Sequence, residues 1–214
     1  MVNNRIGIVI PAFNEERTIS SVVHSVKKFG EVIVVNDCST DKTKQLAQQA
    51  GAIVITHNVN RGYDSALVSG FELADKMGLD VLITFDADGQ HNFKLLEEYI
   101  AYMNQGYDAV AGIRNKFQRI SEALFSHVGQ WRWGISDALC GMKAYRLQIY
   151  RELGYFDSYK SIGTELIIFA ASSGKKIKQF PIKVEIRLDK PRFGRGFDAN
   201  IRILKALFVG LKKY

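Results

Sequence analysis

Proline and cysteine are both scarce in this chain of 214 residues, which holds 3 of the first and 2 of the second. So little proline leaves no stiff extended linker, and no Gly/Ser-rich or low-complexity tract separates two domains. Cys38 and Cys140 stand alone, which excludes a CxxC zinc site and a disulfide framework and fits a reducing, cytoplasmic compartment. No run approaches the roughly 18 consecutive apolar residues of a membrane span. The start, MVNNRIGIVIPAFNEE, meets Pro11 and acids too soon for a secretory leader. Neither a phosphate-binding P-loop nor a GxGxxG turn is present, which removes two large classes of nucleotide-binding protein. Internal repeats are absent too. What remains, 47% hydrophobic and 24% charged, is ordinary for one globular α/β domain with a full core.

Hydrophobic periodicity predicts the elements. Short apolar runs at Arg5–Ile10, Glu31–Val35, Ala52–Thr56 and Val81–Phe85 read as buried strands. Helical spacing covers Glu15–Lys28, Asp41–Ala50, Tyr63–Met77 and Phe93–Met103, and Ala109–Ala111 reads as a fifth strand. Strand and helix alternate four times, which predicts a mostly parallel sheet covered on both faces. Further on, Phe117–Trp133 reads as a helix, Ala138–Tyr145 as an edge strand and Glu165–Ser173 as a helix. One or two short strands are expected over Ile177–Ile186, and a basic loop over Leu188–Asp198. The last segment, Asn200–Lys213, reads as an amphipathic helix with Ile201, Leu204, Leu207, Phe208 and Leu211 as its apolar stripe.

The net charge of +7 is unevenly placed. Residues 175–214 carry 12 Lys/Arg against 3 Asp/Glu, whereas the preceding 174 residues carry 17 against 19. Such a basic end suits a polyphosphate ligand or an anionic membrane surface. A nucleic-acid partner is not expected, because that needs basic and aromatic residues spread over one face.

Open parallel sheets bind ligands beyond the carboxyl ends of their strands, so the polar residues that follow each strand carry the chemistry. After the fourth strand comes Asp86-Ala87-Asp88-Gly89-Gln90. Residues two apart on an extended chain share a side, so both carboxylates can face one point, where a cation between them relieves their repulsion. With Gln90 adding a neutral oxygen, the set suits a hard cation, Mg²⁺ or Mn²⁺, completed by phosphate oxygens. Asp37, after the second strand, can accept N–H groups of a nucleobase or cap the next helix. Pro11-Ala12-Phe13-Asn14-Glu15-Glu16 follows the first strand and places two acids in a helix's first turn. Arg61, in Asn60-Arg61-Gly62, can meet a phosphate.

In this order PAFNEE, VVNDCSTD, NVNRGYDSAL and FDADGQ resemble the inverting GT-A glycosyltransferases of family 2, in particular the polyprenyl-phosphate group like dolichol-phosphate mannose synthases. Ala111-Gly112-Ile113-Arg114, Asp137 to Lys143, Gly163-Thr164-Glu165, Phe180-Pro181-Ile182 and Arg187 extend the resemblance over about residues 5–190. The chain departs from the family pattern at Asn36, where a second acid is usual, at His91-Asn92-Phe93-Lys94, at Cys140-Gly141-Met142-Lys143 and in the basic loop Arg187–Gly194.

The resemblance implies a single GT-A catalytic domain over 1–198, with a nucleotide-sugar half at 1–111 and an acceptor side at 112–198, followed by a basic helix at 199–214. A UDP- or GDP-linked sugar is the expected donor, bound by Pro11, Phe13, Asn14, Glu15, Asp37, Arg61, Gly62, Asp86 and Ala87. Asp86, Asp88 and Gln90 would hold Mg²⁺ or Mn²⁺. The expected acceptor is a lipid phosphate met by Arg114, Arg187 and Arg192. A saccharide hydroxyl would instead require a general base, for which Glu165 and Asp137 are candidates, although Glu165 also reads as a helix N-terminal acid. A non-catalytic nucleotide-sugar-binding protein is the remaining alternative. The final helix, with four cations and no acid over residues 199–213, is expected either to lie peripherally on a membrane or to pack on the domain.

Overall fold

The computed structural model describes residues 4–183 and 197–214. The first unit runs β1 (Ile6–Ala12), α1 (Ile19–Val26), β2 (Glu31–Asn36), α2 (Thr43–Gln49) and β3 (Ile53–Thr56). The chain continues through α3 (Tyr63–Lys76), β4 (Val81–Thr84), α4 (Leu95–Asn104), β5 (Ala109–Arg114) and α5 (Ile120–Trp133). It closes with β6 (Lys143–Arg146), α6 (Leu147–Leu153), α7 (Glu165–Ser172), β7 (Ile177–Ile182) and α8 (Phe197–Lys213).

One seven-stranded sheet in the order β3-β2-β1-β4-β6-β5-β7 organises the molecule, with β6 antiparallel to its neighbours β4 and β5. Strands buried on both faces need apolar side chains at every position, which is why they read as unbroken runs. Ile8 and Ile10 face one core with Val34 and Ile83, beneath α1 and α4, while Val9, Ile33 and Val35 face the other with Phe71 of α3 and Leu166 of α7. Gly70 permits that second packing, because a Cβ there would overlap Val9.

The chain leaves β1 toward β2 on one side and leaves β4 toward the other half of the sheet, although β1 and β4 are paired neighbours. Their carboxyl ends therefore flank the crevice where such sheets bind ligands.

Several expectations are corrected. The segment expected as an edge strand, Ala138–Tyr145, yields the inner strand β6, and its first half turns instead to pass beneath the loop after β4. Pro11 does not end β1, which runs to Ala12. Proline is tolerated there because β4 pairs with β1 only as far as Val9. Helix α1 starts at Ile19, not Glu15, so both acids precede it; Glu15 O accepts the N–H groups of Thr18 and Ile19 in a turn. Helix α6 was not expected. Gly154, in the left-handed region at φ 86°, ends it. On α8 the buried side is Ala199, Ile203, Ala206 and Leu207, whereas Ile201, Leu204, Phe208 and Leu211 are exposed. Of the predicted stripe only Leu207 faces the protein; α8 packs along α5.

Candidate active site

Three loops meet at the carboxyl end of the sheet. The segment after β1 is stitched to the one after β2: Asn14 N–H donates to Ser39 Oγ (2.9 Å), Glu15 N–H to Thr43 Oγ1 (2.7 Å) and Thr40 N–H to Asn14 Oδ1 (2.8 Å). Asn14 takes φ 55°, a left-handed turn that asparagine adopts more readily than most residues. Phe13 is left at the surface, and Glu15 is buried.

Asp37, 4% exposed, is held on every side. Its carboxylate accepts the backbone N–H groups of Arg61 (2.9 Å) and Gly62 (2.7 Å) and lies 2.7 Å from His57 Nδ1. The far ring nitrogen of His57 meets Ser69 Oγ at 2.9 Å, which anchors the loop to α3. Asp37 thus fixes the turn that opens α3, where Gly62 sits at φ 87°. The Arg61 side chain is exposed.

After β4, Asp86 and Asp88 flank a buried Ala87; the chain does not stay extended here as expected but turns at Ala87 and Asp88. Gln90 N–H donates to Asp88 Oδ1 (3.0 Å), and His91 Nε2 lies 3.1 Å from Asp86 Oδ2. Beneath Asp86 passes Gly141, where any Cβ would overlap the carboxylate. Thr84 holds this passage in place by donating its hydroxyl to Gly141 O (2.6 Å), while Lys143 N–H donates back to Thr84 Oγ1. The Tyr63 hydroxyl is pushed well above its ordinary pKa by burial and by the nearby Asp86 charge, so it stays protonated.

The described residues contain no cluster of three or more His, Cys, Asp or Glu able to hold a metal. Two carboxylates fit a divalent cation whose other ligands come from a diphosphate, the usual arrangement for Mg²⁺ at phosphate sites. The donor set is all oxygen and hard, so Mg²⁺ or Mn²⁺ suits it.

On the other side of the crevice the charged groups are bound to one another. Arg114 grips Asp137 with a bidentate fork, Nε to Oδ2 (2.8 Å) and Nη2 to Oδ1 (3.0 Å), and its backbone N–H donates to the same carboxylate. Glu122 lies 3.5 Å from Arg114 Nη1. Burial works against the guanidinium charge, but the Asp137 hydrogen bonds outweigh it and raise the Arg114 pKa. Glu165, fully buried, accepts from Ser158 N–H (2.6 Å), Lys213 Nζ (2.6 Å) and Tyr214 Oη (2.9 Å). It ties the N-terminus of α7 to the end of α8. Arg187 and Arg192 lie outside the described residues.

Two charged groups escaped the sequence reading. Lys143 is buried, which lowers its pKa, and it donates to Gly163 O at 2.9 Å. Asp64 accepts the N–H groups of Gly163 (2.6 Å) and Ile162 (3.3 Å), and burial, with Asp157 nearby, pushes it up to about 6. Ile162 and Gly163 both adopt positive φ, so Asp64 secures a tight loop before α7. Both had a signal, since Lys143 ends the family-like Cys140-Gly141-Met142-Lys143 and Asp64 lies within the family-like NVNRGYDSAL.

Comparison with known proteins now decides the family. The sequence model of glycosyl transferase family 2 matches residues 7–154. This chain belongs to that family. It is a glycosyltransferase with the GT-A fold. Over 197 residues the glycosyltransferase is 33% identical to an uncharacterized protein of Methanocaldococcus jannaschii, covering 84% of this chain and 81% of the relative. It is 27% identical over 191 residues to the dolichyl-phosphate hexose transferase of Haloferax volcanii, covering 83% and 81%. Among solved structures it resembles glucosyl-3-phosphoglycerate synthase of Mycobacterium tuberculosis in complex with Mn²⁺, UDP and glucosyl-3-phosphoglycerate. That match has TM-score 0.78 at 20% identity and covers 97% of this chain and 80% of the other. At that identity it speaks for the fold.

Proposed function

We propose that this glycosyltransferase moves a sugar from a UDP- or GDP-linked donor to a polyprenyl phosphate, with inversion at the anomeric carbon. One observation carries the choice of acceptor: both carboxylates that could act as a general base are already bound. Asp137 is closed by the Arg114 fork, and Glu165 by Lys213, Ser158 and Tyr214. A hydroxyl acceptor must lose a proton. A phosphate acceptor arrives as an anion and needs no base. The relative from Haloferax volcanii, named for a dolichyl-phosphate acceptor, supports the same reading.

In this proposal the donor diphosphate lies at the gap between β1 and β4. Asp86 and Asp88 would hold Mg²⁺ or Mn²⁺, aided by Gln90, and a cation there offsets the charge that gathers on the departing diphosphate. Asp37 acts through the loop it pins, presenting Arg61 and the start of α3 to the nucleotide. The acceptor oxygen attacks the anomeric carbon from the face opposite the leaving group. Arg114, neutralised by Asp137 and Glu122, acts as a strut, and Arg187 and Arg192 are the cations assigned to the acceptor phosphate. Lys143 and Asp64 set the floor between the two halves.

The test is a transfer assay crossing UDP- and GDP-hexoses with dolichyl phosphate, undecaprenyl phosphate, free dolichol and a saccharide, with Mn²⁺ or EDTA. Metal-dependent transfer confined to the lipid phosphates is expected. Transfer to dolichol or saccharide that fails in Glu165→Gln would overturn the acceptor assignment.

A further inference from the structure

Two of the four non-glycine residues with positive φ among those described, Lys160 and Ile162, lie in the loop between α6 and α7, at 57° and 59°. Gly163 follows at 66°. The left-handed region suits glycine and tolerates asparagine, but a branched Cβ such as that of Ile162 crowds the backbone there. Strain of this kind survives only where the surroundings over-determine the backbone, and it collects at functional sites.

Side chains over-determine this loop. Asp157 accepts the N–H groups of Lys160 (2.9 Å) and Ser161 (2.7 Å), Ser161 Oγ accepts those of Thr164 (3.2 Å) and Glu165 (3.0 Å), and Glu165 accepts that of Ser158. These three acceptors belong to the loop itself and to the start of α7. The strained turn is held from elsewhere. Asp64 of α3, 98 and 99 residues earlier, accepts the N–H groups of Ile162 and Gly163, and Lys143 of β6 donates to the carbonyl of Gly163. Gly163 is thus gripped by an acid at its N–H and by a lysine at its carbonyl. With its pKa raised to about 6, Asp64 is still a carboxylate at neutral pH and accepts both bonds at once.

Asp64 sits in the first turn of α3, where the chain meets three walls of the crevice in succession. The N–H groups of Arg61 and Gly62 lie on Asp37 after β2. The Tyr63 hydroxyl feels the charge of Asp86 after β4, and its ring lies 3.4 Å from where a Cβ on Gly163 would stand. Asp64 then takes the loop before α7. Lys143, the other hold on Gly163, leaves the passage beneath Asp86 two residues after Gly141. The spacing between the loop after β4 and the α7 side of the crevice is therefore set at Gly163. A connection with no other duty would carry glycine at 160 and 162 and need no buried acid, whose burial opposes its own charge.

We propose that Asp64 is a positioning residue for the acceptor: by holding the strained turn at Ile162 and Gly163 it keeps the loop before α7 at a fixed distance from Asp86. The acceptor part of this role rests on the reading given above, in which a lipid phosphate meets the donor in this crevice.

Hydrogen exchange read by mass spectrometry, on the whole chain without donor or acceptor, tests the hold itself. In Asp64→Ala the amides of residues 158–165 should exchange about tenfold faster or more, through local opening of this loop, while β1 and α4 keep the parent rate. Asp64→Asn, which keeps one accepting oxygen, should show the same change at smaller size. UDP and GDP with Mn²⁺ should bind both variants as they bind the parent. In transfer to dolichyl phosphate, the acceptor KM of Asp64→Ala should rise by about tenfold with kcat within about threefold. Adding Ile162→Asn to Asp64→Ala, which relieves the strained φ, should recover part of both the exchange protection and the KM. Unchanged exchange over 158–165, lost nucleotide binding, or no recovery on adding Ile162→Asn would each overturn the role of Asp64. If the parent transfers sugar to no lipid phosphate, the acceptor assignment falls, and exchange and its recovery still decide whether Asp64 holds the loop.

Discussion

The two sides of the crevice are built by different means. On the side of β1, β2 and β4, carboxylates and amides are fixed largely by backbone N–H groups of neighbouring loops, as Asp37 is by Arg61 and Gly62. On the side of β5, β6 and α7, charged side chains are fixed by other charged side chains, as Asp137 is by Arg114 and Glu165 by Lys213. Backbone donors position a carboxylate while leaving its charge in place to attract a cation or a ligand. A salt bridge positions a carboxylate by neutralising it. The same residue type is therefore held by different means on the two sides, although Asp37, with His57 beside it, is as much a part of the architecture as Asp137 and Glu165.

The sharpest way to break this contrast is at Asp88. Asp88→Asn should lower turnover by roughly 10²-fold or more, the scale of losing one preorganised electrostatic stabiliser, and remove the dependence on Mn²⁺. Full, metal-dependent activity in this variant would erase the distinction. Next in size is Gly141→Ala, which drives a methyl group into the Asp86 carboxylate. Calorimetry should show metal-dependent nucleotide binding weakened by about tenfold, on the scale of 1.4 kcal/mol, while nucleotide binding without metal changes little.

Glu165→Gln probes the other side. It should leave turnover within about threefold of the parent and cost about 2 kcal/mol of stability in a denaturant melt, the worth of a hydrogen bond to a charged group. Near-complete loss of turnover with normal donor binding and unchanged stability would make Glu165 a base after all. Asp64 leaves turnover aside and probes stability through pH. Its pKa is raised from 3.8 to about 6, so the folded chain holds more protons than the unfolded one in that interval. This contribution to stability is present below about pH 4 and declines as pH rises toward about 6. Asp64→Asn should flatten that part of the stability profile relative to the parent, measured by melting at a series of pH values.

The first half of the molecule was legible in the sequence; in the second, α5, α7, β7 and α8 were legible too, but the place of β6 and the existence of α6 were not, for a physical reason. Doubly buried parallel strands must be apolar throughout, so β1, β2 and β4 announce themselves, and the loops that follow them hold the site residues. β6 is four residues long and reads Lys-Ala-Tyr-Arg, with nothing to mark it as an inner strand of a sheet. The motif residues around Gly141 were visible, but not that the glycine lies against Asp86. Salt-bridge partners 23 and 48 residues apart, Arg114 with Asp137 and Glu165 with Lys213, leave no local trace. On α8 the amphipathic pattern was legible; which way its stripe faces was not, and all of it but Leu207 is turned outward.

The late arrival of β6 also has a consequence during synthesis. β3, β2, β1 and β4 join through units contiguous in sequence, so they can pair as soon as residue 84 has left the ribosome. β4 then waits for Lys143 before its second edge is filled. At roughly 5–20 residues per second that is an interval of about 3–12 s. Throughout it the nascent chain carries an open, apolar strand edge next to an acidic loop that still lacks its glycine floor. An open edge of that kind is a template for pairing with other chains, so the vulnerable species in the life of this enzyme is the unfinished polypeptide, and slow translation beyond β4 prolongs its exposure to chaperones and neighbours alike.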